Sequence, residues 1–276
     1  MLCWLYVCTL PMCGPQNVQF MNNHINYKTV AITKLPGTSY KHHLRYYGIH
    51  DALESNKNCS HIIFSDASDV IPQNFNSSDV LVAFNKVAND VYSFIAGTES
   101  ACWIGKPCTR KRILEMKQTR PSFFKQTCKT TGYRQPCFLN TMWMSTYKAA
   151  ALYINYALRF ITKYASRSGM LDDQAILHDF VLKNNYTVAD YHENIFASFK
   201  RLYVTANTNY SCKCDSKPKM FYNSDGKFCY NQNVSAYSIE NNILTYNPTM
   251  SRPKVLWHGN GKVSKHILND IKKYYI

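Results

Sequence analysis

The chain has 276 residues, 46% of them apolar and 14% aromatic, with a formal net charge of +15. That much apolar side chain excludes a disordered protein, and the length suits one large domain or two small ones. The charge favours anionic partners, but no basic run with interleaved aromatics tracks a nucleic-acid strand, so nucleic acid is not an expected partner.

Leu2 to Thr9 is an apolar run and reads as a buried first strand. Met1 to Cys13 lacks a basic n-region, which makes it a poor signal peptide. It is also too short to cross a bilayer, and no other segment is long and apolar enough to be transmembrane. Val18 to Tyr27 is mixed and suits a short helix. Lys28 to Leu35 predicts a second strand, closed by Pro36-Gly37. Leu44, Tyr47 and Leu53 predict a helix over 40–54. His61 to Phe64 has the continuous apolar character of a strand buried on both faces. Val80 to Ala83 and Val91 to Ala96 read as short strands. Gly105 to Pro136, basic and rich in Thr and Cys, reads as a surface excursion.

Phe138 to Met144 predicts another strand. Ala150, Ile154, Leu158 and Ile161 stand at helical spacing and predict a helix over 146–166. A second helix over 172–184 begins at Asp172, where a carboxylate favours a helix N-terminus. Ile195 to Tyr203 suits a strand. Tyr210 to Gln232 holds Cys212, Cys214 and Cys229 and reads as a disulfide-tied loop inside an excursion over 205–240, with a metal knuckle as the rival reading. Lys254 to Trp257 predicts a last strand, followed by His258-Gly259-Asn260-Gly261 and a basic helical tail. Strands alternating with helices predict an α/β sheet with crossover connections, here in one domain over 1–276.

The eleven cysteines, with sequons at Asn58, Asn76, Asn185, Asn209 and Asn233, favour a disulfide-permissive setting. That means the endoplasmic reticulum lumen of the secretory pathway, or secretion. Neither cysteine pairing nor oligomeric state is legible in the sequence.

The strand at His61–Phe64 runs into Ser65-Asp66-Ala67-Ser68-Asp69. Carboxylates in that place lie at the edge where open α/β sheets bind ligands. With no basic residue between them they repel unless a cation neutralises them, and oxygen donors suit Mg²⁺ or Mn²⁺. An Asp-rich turn accounts for the same residues.

Further stretches follow in order: Glu99-Ser100-Ala101-Cys102-Trp103, then Phe138-Leu139-Asn140 with Asp172-Asp173-Gln174, then Trp257-His258-Gly259-Asn260-Gly261. In this order and at these separations they resemble the glycosyltransferase domain of the procollagen lysyl hydroxylase and collagen hydroxylysine glycosyltransferase family. The resemblance runs from about Asn17 to the end of the chain. It is most specific at Glu99-x-x-Cys102-Trp103 and at His258 to Gly261. It implies a GT-A (Rossmann-like) fold, with a central mixed, mostly parallel sheet flanked by helices. The implied activity is Mn²⁺-dependent transfer of galactose or glucose from UDP-galactose or UDP-glucose to hydroxylysine or galactosyl-hydroxylysine of a collagen-like acceptor protein.

The same resemblance assigns roles. Asp66 and Asp69 match the metal pair, and His258 matches the third ligand. Asp172 and Asp173 match the acidic run needed for transfer, and Gln174 follows it. Glu99 and Trp103 match walls of the donor site, and Asn140 matches the acceptor-side strand. Lys41 matches a lysine that meets a phosphate, Thr9 borders the base, and Gly259, Asn260 and Gly261 let the backbone approach the diphosphate. Ser68 stands where the family has Tyr, which bears on the choice of base. Thr141-Met142-Trp143 replaces Ser-Gly-Gly, a bulk expected to narrow the sugar pocket. No His-x-Asp pair with a later His for Fe²⁺ is evident, so lysyl hydroxylation is not expected. Two alternatives stand beside this reading: a catalytically degenerate nucleotide-sugar-binding member, and a secreted basic protein that binds acidic glycans.

Overall fold

The computed structural model describes residues 1–8, 28–33, 42–66, 70–72, 76–99, 138–165, 172–190, 194–198, 237–240, 243–246 and 256–258. Among them the strands β1 (Leu2–Cys8), β2 (Lys28–Thr33), β3 (His61–Asp66), β5 (Phe94–Glu99), β6 (Phe138–Thr146) and β7 (Thr187–Ala189) form a six-stranded sheet in the order β2-β1-β3-β6-β5-β7. Neighbouring pairs are parallel except those made by β6, which runs antiparallel to both β3 and β5. The sheet is thus mixed and mostly parallel, as expected. A short three-stranded sheet, β4 (Val70–Pro72), β11 (Leu256–His258) and β8 (Phe196–Ser198), has β11 in its middle, and β9 (Tyr237–Glu240) pairs with β10 (Ile243–Tyr246) as a hairpin.

Both faces of the large sheet are covered, which is why its strands are apolar almost throughout. In β1, Cys3, Leu5 and Val7 face one core while Leu2, Trp4 and Tyr6 face the other. The first core receives helices α1 (Arg45–Glu54), α3 (Tyr147–Lys163) and α4 (Asp173–Lys183). The second receives α2 (Ser77–Ala88), through Val80, Phe84 and Ala88, together with Val70, Phe196 and Leu256 of the small sheet. Trp143 is stacked between Phe64 and Phe94, with ring centroids 5.3 Å away in each case. A disulfide joins Cys3 of β1 to Cys59, just ahead of β3.

Several expectations need correction. Val80–Ala83 is helical, not extended. Asn76 caps the helix by accepting from the Asp79 N–H at 2.9 Å, and the buried positions fall four residues apart. A four-residue apolar run does not separate helix from strand; the longer spacing does. The next strand starts at Phe94, not Val91, because Asn89 and Asp90 turn the chain with φ of 48° and 55°. His258 belongs to β11 and does not begin the turn after it. The excursion over 205–240 closes on a strand at Tyr237–Glu240. The helix at 18–27, the excursion at 105–136, the cysteine loop at 210–232 and the basic tail lie outside the described residues. No helix among the described residues is long and apolar enough to cross a membrane.

Candidate functional site

From β1 the chain crosses to β2 on one side and to β3 on the other. The ends of β1 and β3 therefore flank the topological switch point, the usual binding crevice of an open α/β sheet. Val7 of β1 pairs with Asp66 of β3 at this edge. Because β6 runs antiparallel, its first residues come to the same edge, where Phe138 pairs with Glu99 of β5. Stretches far apart in sequence are thus gathered at one end of the sheet.

Asp66 ends β3 on the face that carries Phe64, so it points towards the helices of the first core. There it meets Arg45, which opens α1. Arg45 Nη1 lies 2.8 Å from Asp66 Oδ1 and 2.9 Å from Asp173 Oδ2. The Arg45 side chain is 2% exposed and that of Asp66 22%, so the guanidinium is internal and the carboxylate opens to the crevice. Thr141 Oγ1 donates to Asp66 Oδ2 at 3.4 Å. The sequence argument that Asp66 needs an outside cation is therefore incomplete, since Arg45 supplies one from within the protein. An arginine beginning an amphipathic helix gives no sequence sign that it turns inward.

The start of α4 is held with similar care. Asp172 is the N-cap, and its Oδ1 accepts from the Gln174 N–H at 2.8 Å. Asp173 is buried; its carbonyl accepts from the Tyr46 hydroxyl at 3.4 Å, and that hydroxyl lies 2.6 Å from Tyr153 Oη. Burial, then the neighbouring Tyr153 and Asp173, raise the Tyr46 pKa well above the ordinary tyrosine value, so it stays a neutral donor. Gln174 Nε2 donates to the Leu139 carbonyl at 2.5 Å, and the Leu139 N–H donates to His178 Nε2 at 3.1 Å. Two side chains one turn apart thus grip both backbone groups of one β6 residue. His178 shows no sequence signal beyond a histidine in an apolar helix.

Asn140 is buried below the crevice, with its amide engaged by backbone: Nδ2 donates to the Thr98 carbonyl at 3.3 Å and Oδ1 accepts from the Met142 N–H at 3.0 Å. It fills the space beside Gly97, where the β5–β6 register shifts. Met142 and Trp143 are each 1% exposed, one in each core. Their bulk packs the protein and does not narrow a sugar pocket, which corrects the expectation from sequence.

Backbone pairing brings the far end of the chain to the acidic motif: in the β11–β4 ladder His258 is the partner of Val70, the residue after Asp69. On its other side β11 pairs with β8, His258 opposite Ser198. The start of β8 is fixed by Asp190, which is 1% exposed. Its carboxylate accepts from the backbone N–H groups of Asn194, Ile195 and Phe196 at 2.8, 2.7 and 2.9 Å. An aspartate after a strand reads as a turn residue in sequence, and nothing marks this one as an anchor.

Among the described residues no group of three His, Cys, Asp or Glu is placed to hold a metal ion. Asp69 and the His258 side chain are not among them; nor are Thr9, Lys41, Ser68, Trp103, Gly259, Asn260, Gly261 and the Glu99 side chain. The donor set of carboxylate and imidazole suits a hard or borderline divalent ion. Asp66, 22% exposed at the end of β3, offers a carboxylate of the kind such an ion takes, and the backbone register sets His258 beside Val70.

No family model matches the chain, and neither does any curated protein. Among solved structures it is similar to a glycosyltransferase involved in the glycosylation of the major capsid of PBCV-1. The two are 11% identical with a TM-score of 0.45, over 72% of this chain and 86% of that one. A likeness that loose bears on no residue of the site.

Proposed function

We propose that the chain is a GT-A-type glycosyltransferase that moves galactose or glucose from a UDP-sugar to hydroxylysine or galactosyl-hydroxylysine of a collagen-like protein. One observation carries this reading. Asp66 ends β3 at the switch point, and Arg45 ties it to Asp173 at the start of α4, so two stretches of the resemblance that are far apart in sequence are joined by one guanidinium.

In the reaction, the bond between the anomeric carbon and the diphosphate oxygen breaks and UDP leaves with the electron pair. The acceptor hydroxyl oxygen bonds to the anomeric carbon, and its proton passes to a base. Asp66, Asp69 and His258 would hold Mn²⁺, which when bound supplies charge stabilisation for the departing diphosphate. The acidic run Asp172-Asp173 would supply a carboxylate that orients the sugar, opposes the positive charge at the anomeric carbon, or takes the acceptor proton. The ground for a degenerate binding protein is weakened, because Met142 and Trp143 belong to the cores.

The test is UDP release from UDP-glucose and UDP-galactose with a hydroxylysine-containing collagen peptide, with Mn²⁺ or with chelator. The wild type is expected to turn over one donor with Mn²⁺ alone, and Asp69→Ala to lose that turnover. Equal turnover by wild type and Asp69→Ala would contradict the metal assignment.

A further inference from the structure

We propose that Arg45 is a positioning residue that locks Asp173 against Asp66, and that Asp172 is the carboxylate that meets the sugar. The inference rests on the glycosyltransferase reading and divides the labour within its acidic pair. Arg45 and Asp173 are internal, with side chains 2% and 6% exposed, so neither reaches a donor lying in the crevice. Asp173 is gripped at three points: Oδ2 by Arg45, Oδ1 by the Gln174 N–H, and its carbonyl by the Tyr46 hydroxyl. A group so held is poor at following a sugar through a reaction and good at fixing the residue beside it. Asp172 is that neighbour. It is only partly buried and stands at the N-cap of α4, the end whose dipole favours an anion.

The arginine has a second task. Asp66 and Asp173 both lie within 3 Å of the same nitrogen, Nη1. A cation between two carboxylates lets both stay ionised at close quarters. Asp66 is thereby held at the end of β3 from one side while Asp173 is held from the other. A lysine keeps the charge but not the planar, fixed donor fork, so the substitution separates charge from geometry.

The experiment measures kcat and KM of the full chain with UDP-glucose and UDP-galactose and a hydroxylysine-containing collagen peptide in Mn²⁺, alongside thermal melting. The variants are Asp172→Asn, Asp173→Asn, Arg45→Lys and the double variant Arg45→Lys/Asp173→Asn. Asp172→Asn is expected to lower kcat about 1000-fold with unchanged melting. Arg45→Lys and Asp173→Asn are each expected to lower kcat about 100-fold through misplacement, with KM within about threefold of wild type. The double variant should lose no more than the worse single one, because both changes break one linkage. Additive losses in the double variant overturn the linkage. An active Asp172→Asn overturns the division of labour, and that result stands even where the Arg45 variants do not fold. A wild type inert towards both donors overturns the glycosyltransferase reading and this role with it, whereas an active wild type with either failure above overturns this inference alone.

Discussion

Arg45 donates to Asp66 Oδ1 at 2.8 Å and so joins the first residue of α1 to the last residue of β3. The pair is buried on the arginine side, and removing the guanidinium leaves Asp66 and Asp173 facing each other uncompensated. Arg45→Met is therefore expected to destabilise the fold by about 3–5 kcal/mol. Urea unfolding checks this, with Glu54→Gln as the control. The Glu54–Lys57 pair is exposed on both sides, so breaking it should leave the unfolding midpoint in place.

Gly97 has a different constraint. A Cβ there would stand 2.4 Å from Asn140 Oδ1. Asn140 does not yield freely, because its amide holds Thr98 and Met142. Gly97→Ala should cost about 1–3 kcal/mol by overpacking. Asn140→Ser makes room for the new methyl, so the double variant should be more stable than the sum of the two single losses implies. Chemical unfolding of the four proteins of the cycle measures this.

Asp190 anchors β8, the strand that pairs with β11. Removing its carboxylate leaves buried backbone donors at Ile195 and Phe196 without their acceptor. The expected cost of Asp190→Ala is about 1–3 kcal/mol for each such donor. Hydrogen exchange should show those amides, and the amide of Leu256, losing protection before the centre of the large sheet does. Equal protection in the variant would count against the anchoring role.

His61 gives the pH dependence a sign. Burial, aided by the nearby Met1 ammonium, lowers its pKa below the ordinary histidine value. The unfolded chain then binds this proton more readily than the folded one, so folded stability falls as pH drops below about 6.5 and is retained above it. Melting followed from pH 7.5 down to 5 should show that decline, and His61→Gln should make it shallower.

The sheet was legible because its strands carry continuous apolar runs and its helices carry apolar faces at the right spacing: Leu2–Cys8, His61–Phe64 and the Ala150–Ile161 face all announce themselves. The short strands at Val70–Pro72 and Thr187–Ala189 did not, because three residues carry no period. Asp66, Asp172 and Asp173 stood out as acidic pairs in a chain rich in lysine and arginine. Arg45, His178 and Asp190 did not. Their importance comes from partners far away in sequence, and only the folded chain puts Arg45 beside Asp173 or Asp190 beneath β8.

The most direct test of the account is the binding of UDP followed by calorimetry, with and without Mn²⁺, on the wild type and on His258→Ala. The proposed Mn²⁺ site joins Asp66 and Asp69 to His258, so two distant parts of the chain would share one ion. UDP should bind only with Mn²⁺, and His258→Ala should weaken that binding by at least about tenfold. UDP binding that is absent under both conditions, or equally tight without Mn²⁺ and in the variant, would contradict it.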